Sequence, residues 1–406
     1  MKNDNAFDSF RVMLLALGHF TVDVYANLLP PLLPVFYIMY SLNDTAISLL
    51  TAVFSVTSTL IQPVFGYIAD KYGKKWIAAL GVAWVSVGMC LLGEAPGYMA
   101  LVIMVGLAGI GSSMYHPQAS AMVPKVSGNR KGLGMSLFMA GGNIGYSLMP
   151  LIAVIIVAVF GVHSLIWLIP PGVIVGLLIY LYAPRMDVDR QSTLDLRTLF
   201  GSFREVKGPL TTLLTVVSLR AWVCMGMITF IPIYFMHSHF EGWALFGHDI
   251  AGIGYAITLF LFILADAVGG IIGGWAADRW GNKKVTVPTL LAAAPVLFLA
   301  FVVPDILVWP LIVLAGGLVY ASISPTTLLA QEMLPRSQGM AGGLTLGFAN
   351  GIGGLLVLVT GVISDYLGRF DAILSLILIL VIAGLIAAML PGDKLKVEAP
   401  APMIKQ

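Results

Sequence analysis

Twelve long apolar runs follow one another along this chain, and very little charge interrupts them. One α-helical membrane crossing needs ~20 apolar residues, so each run is long enough to be a span. Transmembrane strands would instead show ~10-residue segments of alternating polarity. The runs here are continuous, and a helix satisfies all its backbone hydrogen bonds within the segment. Charged residues make up only 10% of the 406 residues, against roughly 25% in a soluble protein. A water-exposed surface on a chain this long needs far more charge, so soluble enzyme, nucleic-acid binder and disordered chain are excluded as classes. The 44 glycines suit a helical membrane bundle, in which small residues let helices approach closely. Cys90 and Cys224 sit inside apolar runs, with no disulfide framework and no metal-ligand spacing. The first apolar segment has no small-residue cleavage pattern and is expected to stay as the first helix.

The predicted architecture is an all-α membrane protein of twelve transmembrane helices. The spans are expected at 11–38, 46–70, 76–94, 98–123, 133–159, 164–183, 210–236, 249–277, 285–303, 306–330, 340–364 and 370–390. Residues 1–183 form an N-terminal six-helix half and 210–390 a C-terminal six-helix half. The polar stretch 184–209 reads as a cytoplasmic linker with a short surface helix at 193–206, and 391–406 as a disordered cytoplasmic tail. With the N-terminus cytoplasmic, 20 of the 22 basic residues fall on the inner side. Arg369 alone lies in an outer loop and Arg220 alone inside the membrane. This asymmetry predicts cytoplasmic termini and an even number of spans.

The two halves repeat each other. Gly66-Tyr-Ile-Ala-Asp70-Lys71-Tyr-Gly73-Lys74-Lys75 follows span 2, and Gly274-Trp-Ala-Ala-Asp278-Arg279-Trp-Gly281-Asn-Lys283-Lys284 follows span 8, 208 positions later. At the same offset Pro117 of span 4 meets Pro325 of span 10. At one position less, Asn143 of span 5 meets Asn350 of span 11. Six spans is an even number, so both copies start on the same membrane side, as a parallel repeat.

The repeated G-x-x-x-D-[KR]-x-G-x-[KR] loop resembles the signature loop of the major facilitator superfamily, and the resemblance covers residues 10–390. Gly109-Ile-Gly111-Ser112-Ser113-Met-Tyr-His116-Pro117-Gln-Ala-Ser120 is similar to the span-4 stretch of the fosmidomycin-resistance family of exporters. Gly141-Gly142-Asn143-Ile-Gly145 and Thr229-Phe-Ile-Pro232-Ile-Tyr-Phe235 fit the same family. The resemblance implies the major facilitator fold and a proton-coupled exporter of small drugs or metabolites working by alternating access. The chain departs from the drug–proton antiporters of that superfamily in two places. Span 4 has no buried arginine, and the G-x-x-x-G-P-x-x-G-G stretch of span 5 is incomplete, since Tyr-Ser-Leu-Met-Pro150 follows Gly145.

Two groups of residues are candidates for function. The first is the conformational gate: Gly66, Asp70, Lys71, Gly73, Lys74 and Lys75, then Gly274, Asp278, Arg279 and Gly281. A carboxylate at the inner end of a helix can face the positive N-terminus of a neighbour and accept hydrogen bonds from basic groups, latching the inner side until the halves rock. A simple positive-inside anchor with a turn is the plainer alternative. Glu332, ending span 10, joins this gate group.

The second group is ionisable or polar residues inside spans, which are costly there and so presumptively functional. Asp23 lies twelve residues into span 1, about 18 Å deep at 1.5 Å per residue, with His19 four residues earlier on the same helix face. The two could trap or relay a proton, or form a polar pair that fixes packing. Arg220 of span 7 and Asp266 of span 8 reach comparable depth and are expected to form a charge pair, with Arg220 the only deep cation and a candidate to hold an anionic substrate. His116, before Pro117, and the matching Asn143 and Asn350 are candidate cavity residues.

The expected function is secondary active transport: proton-coupled efflux of a small drug-like or anionic metabolite. Proton-coupled uptake of an organic acid or other small nutrient is the alternative. No G-x-x-x-x-G-K-[ST] loop is present for nucleotide-driven transport. No convergent nucleophile or metal constellation points to an enzyme. The expected partners are the substrate, protons and the lipid bilayer, with no nucleic acid. The expected cofactor is none beyond a proton gradient, and the expected state is a monomer in the cytoplasmic membrane.

Overall fold

The structure, a computed structural model, describes residues 6–72, 75–184, 206–235, 244–245, 248–249, 252–303, 307–334 and 341–392. Among them, twelve helical segments are long and apolar enough to cross a membrane: Ser9–Met39, Asp44–Gly66, Trp76–Glu94, Tyr98–Val126, Lys131–Phe160, Val162–Tyr182, Lys207–Phe235, Ile253–Trp280, Asn282–Val302, Val308–Met333, Gly343–Leu367 and Arg369–Ala387. They are numbered spans 1 to 12 here. The expected ends shift by a few residues; span 7 begins at Lys207, so its helix takes the last residues of the stretch read as a linker. The proposed surface helix at 193–206 and nearly all of the tail lie outside the described residues. The span 7–8 connection holds a two-stranded antiparallel ribbon, Ala244–Leu245 against His248–Asp249.

Several spans are not single helices. Span 1 breaks between Ser9–Ala26 and Leu29–Met39. Pro30 and Pro31 fill the first turn of the second piece, where a missing N–H costs nothing. The break leaves Asn27 in the bundle interior, where its side-chain amide donates to the Tyr146 carbonyl of span 5. Span 10 breaks likewise between Val308–Tyr320 and Ile323–Met333. Wide turns with five-residue hydrogen bonds interrupt span 2 at Val56–Leu60 and span 11 at Gly343–Phe348. Span 4 runs unbroken through Pro117 and Pro124. Broken and bulged helices around one interior are tolerated because their freed backbone groups face a polar cavity instead of lipid.

Two apolar cores result. One gathers residues from Val12 to Ala183, the other from Leu210 to Leu390; among the described buried members Ile233 and Val154 cross over, and Tyr146 and Leu151 pack onto the second core from the first half. Span 5 packs on span 8 and span 2 on span 11 across the boundary. Small residues make the closest approaches. On span 5, a β-carbon at Gly141 would lie 2.4 Å from the Ala16 carbonyl oxygen, and one at Gly145 would lie 2.3 Å from that of Phe20. Glycine at these positions brings span 5 against the backbone of span 1, beside the buried polar residues of that span.

Candidate functional site

A cavity of about 290 Å³ lies between the halves. Asp23, Asn27, Ser112, His116, Asn143 and Tyr146 line it from the N-terminal half, and Arg220, Asp266, Tyr320 and Asn350 from the C-terminal half. Six of the seven intramembrane residues singled out from the sequence thus border one cavity. The seventh, His19, stands directly behind Asp23, its Nε2 3.3 Å from the carboxylate Oδ2.

The N-terminal wall holds a linkage that sequence spacing did not show. His116 of span 4 sets its Nε2 3.1 Å from Asp23 Oδ1, so one carboxylate stands between two imidazoles. Each ring is anchored from behind. His19 Nδ1 lies 2.8 Å from the Phe138 carbonyl oxygen, and His116 Nδ1 lies 2.9 Å from the Ser112 carbonyl oxygen. A carbonyl oxygen only accepts, so both Nδ1 atoms donate. The Phe138 ring stacks on His19 with centroids 4.1 Å apart. Gly142 of span 5 closes the third side: a β-carbon there would come within 2.6 Å of both His19 and Asp23.

The C-terminal wall is arranged differently. Arg220 is 2% exposed, and its Nε and Nη1 have no hydrogen-bond partner. Arg220 and Asp266 border the same cavity and attract each other electrostatically, as expected, but at a distance longer than a direct ion pair. Depth along two helices equalises height but leaves rotation open, and rotation decides whether side chains meet. Asn350 donates to the Leu346 carbonyl one turn back, and Asn143 is exposed on the cavity wall.

The gate candidates lie on the face where the described residues begin and end, at the start of span 1 and beyond span 12. There Lys75 donates to the carbonyls of Leu181 and Ala183 at 3.1 and 3.4 Å, and Arg11 donates to that of Tyr182. Gly73, Lys74 and the side chains of Asp70 and Lys71 lie outside the described residues. Gly66 approaches Pro117, and Gly274 approaches Ser324. Gly281 has φ of 99°, the left-handed region that admits glycine without strain, and turns the chain into span 9. Asp278 is exposed, and Arg279 lies over the Trp280 ring. Asn282 contacts Glu332 at 3.4 Å, tying the span 8–9 loop to the end of span 10 within the C-terminal half.

The opposite face holds a junction between the halves that the sequence reading missed. Arg369 grips Asp44 with two bonds, Nε to Oδ2 at 3.0 Å and Nη2 to Oδ1 at 3.1 Å. Ser364 donates to the same carboxylate at 2.6 Å, and Arg369 Nη1 reaches the Ile233 carbonyl. Asp365 accepts from the backbone N–H groups of Asp44 and Thr45, at the positive N-terminus of span 2. Spans 2, 7, 11 and 12 are thereby clamped together on that side, in a bidentate geometry that favours a defined position. The available signal was Arg369 itself, the one basic residue expected in an outer loop.

These features define a membrane transporter: among the described residues, two six-span groups, a polar cavity between them, and a hydrogen-bonded junction of the halves on the face of Asp44 and Arg369. The sequence profile of the Major Facilitator Superfamily matches residues 15–357. The chain is 30% identical over 390 residues to the fosmidomycin resistance protein of Escherichia coli K12, covering 94% of this chain and 93% of that protein. It is 26% identical over 393 residues to the MFS-type transporter YfnC of Bacillus subtilis 168, covering 94% and 93%. Its fold matches a bacterial homolog of the human lysosomal transporter Spinster, crystallised inward-facing and unoccupied, with TM-score 0.81 and 16% identity over 96% of this chain and 97% of that one. The chain belongs to the Major Facilitator Superfamily: it is a multi-pass membrane transporter and not an enzyme.

Proposed function

We propose that this protein exports a small anionic or amphiphilic compound in exchange for protons, by alternating access. One observation carries the reading: a buried guanidinium with free donors faces the cavity from one half, and a carboxylate between two imidazoles faces it from the other. A cation that must be neutralised in a low-dielectric site attracts an anion, and the histidine–carboxylate cluster can take up protons as the anion leaves. Full-length similarity to a protein named for fosmidomycin resistance supports the outward direction.

The clamp at Asp44 and Arg369 closes one face, while Asp278 on the terminus-bearing face is exposed. With the termini in the cytoplasm of a cell's inner membrane, this state is open inward. Substrate enters from the cytoplasm and displaces protons from the Asp23 cluster. The clamp then opens while the two signature loops close the inner side. Outside, reprotonation returns the protein inward. The two six-span halves move as units on the linker, within a monomer, and the proton gradient is the only drive. Asn143 and Asn350 orient the substrate from opposite walls.

The test is flux into proteoliposomes under an imposed pH gradient, after a growth screen of an overexpressing strain against a panel containing fosmidomycin and phosphonates. Export predicts resistance to at least one anionic compound and proton-driven movement of substrate against the proton flux. Accumulation of substrate in the same direction as the protons overturns export in favour of uptake by symport.

A further inference from the structure

Two imidazole nitrogens and a carboxylate converge on one point of the cavity wall, and neither nitrogen brings its own proton there. Both rings spend their Nδ1–H on backbone carbonyls, of Phe138 and Ser112. In a neutral ring this leaves Nε2 as a bare lone pair, and both Nε2 atoms point at the Asp23 carboxylate, itself an acceptor only when ionised. Acceptors facing acceptors need a cation among them. Protons can serve, one per ring. A metal ion can serve as well, and the arrangement has the marks of a ligand set.

The ligand atoms of His19, Asp23 and His116 all lie within 4.8 Å of one another. Bonds of ~2.0–2.2 Å to zinc put neighbouring ligands about 3.4 Å apart on a tetrahedron. Asp23 turns one oxygen to each ring at near that spacing, Oδ2 3.3 Å from His19 and Oδ1 3.1 Å from His116, so a small shift of the carboxylate completes the set. Metal-bound histidines commonly donate their second nitrogen to a carbonyl, which fixes tautomer and ring angle; both rings here are held so. Stacking on Phe138 and the close approach of Gly142 restrict His19 further. Asp23 and His116 border the cavity, so a fourth coordination position opens toward it. Two nitrogens and one oxygen, with no sulfur, suit a divalent first-row transition metal more than calcium or magnesium.

We propose that His19, Asp23 and His116 form a binding site for a divalent transition metal ion of the zinc and cobalt class, in competition with protons. Sequence spacing hid it because the ligands come from spans 1 and 4. The bound ion ties these spans together, occupies the lone pairs that would take protons, and offers its open position to water or to an anionic group in the cavity. Transport driven by protons is then inhibited by the metal. Binding weakens in acid, because both imidazoles must be neutral to ligate.

Titration of the purified full-length protein in detergent with Co²⁺, followed by visible absorption, and with Zn²⁺, followed by calorimetry, tests this. One equivalent is expected to bind, with a cobalt spectrum of low coordination number. Affinity falls at least about tenfold in His116→Ala and in Asp23→Asn, and it falls progressively as pH is lowered through the imidazole range. His163→Ala, at an exposed histidine far from the cavity, leaves binding unchanged. Should the cluster variants fail to fold, the pH dependence of the unaltered protein and the anomalous scattering of bound zinc still locate the ion. Absence of saturable binding overturns the proposal, as does binding that the cluster variants retain. The measurement uses no gradient and no substrate, so its failure leaves the transport reading untouched, and a failure of proton coupling leaves this site untouched.

Discussion

The two walls of the cavity solve the same problem in opposite ways. Each half buries ionisable groups at a depth where they are expensive. In the N-terminal half every one of them has a partner: Asp23 with both imidazoles, and each imidazole with a backbone carbonyl. In the C-terminal half Arg220 keeps two buried nitrogens unpartnered, and Asp266 forms no ion pair with it. A self-contained cluster can store and release charge with little rearrangement. A guanidinium with two unpartnered nitrogens stores a deficit instead, which on the proposed mechanism an incoming anion relieves. On that proposed mechanism the contrast divides the work: a coupling site on one wall and a recognition site on the other.

Asp23→Asn gives the largest expected effect. Removing the carboxylate between the rings abolishes accumulation driven by a pH gradient, while exchange of substrate for substrate continues in proteoliposomes. If gradient-driven transport survives, the coupling site is not on this wall and the comparison breaks.

Arg220→Ala is next, with substrate affinity falling on the order of 10- to 100-fold, the worth of a charge-assisted contact. Folding is expected to tolerate it, with the thermal midpoint unchanged or raised, because an unpaired buried charge has gone. A lowered midpoint that Asp266→Asn then restores would mean an ion pair in the working protein and would erase the contrast. Arg220→Lys restores charge without the planar fork and is expected to recover binding only in part.

Gly142→Ala sharpens the comparison by striking only the N-terminal wall. Its β-carbon would meet His19 and Asp23 within 2.6 Å, so stability drops by about 1–3 kcal/mol and proton coupling weakens, with substrate affinity little changed. Thermal unfolding and equilibrium binding separate the two. At the opposite-face clamp, a double-mutant cycle of Asp44→Ala and Arg369→Ala is expected to give a coupling of ~0.5–3 kcal/mol and to shift the protein toward the state open on that face. Distance measurements between labels on spans 2 and 11 would read the shift. The smallest effect is at the exposed pair His163 and Glu94, 2.9 Å apart, where removal is worth less than about 1 kcal/mol and leaves transport intact.

Much of the architecture was legible in the residues. Span number and approximate ends follow from apolar length, and the repeat from matched glycines and acids. Asp23, Arg220, Asp266 and His116 stood out because charge and histidine inside a span are costly. What could not be read was pairing across the bundle. Asp23 meets His116 from 93 positions away, and Asp44 meets Arg369 from 325. Arg220 and Asp266, close in depth on adjacent helices, interact electrostatically but do not touch. The breaks in spans 1 and 10 also escaped, since proline announces a weak point but the cavity beside it decides whether the helix parts there or, as at Pro117, runs on.

The sequence by itself determined the class, because a chain with so few charges can satisfy its surface only in lipid and its backbone only as helices. It also selected the handful of residues for which a membrane interior is a poor solvent. The tertiary structure alone decided which of those residues touch, which keep unpartnered donors and where the halves are joined by hydrogen bonds. Those outcomes depend on the rotation of each helix about its axis and on how closely glycines let neighbours approach. Hydrophobic length leaves both undetermined.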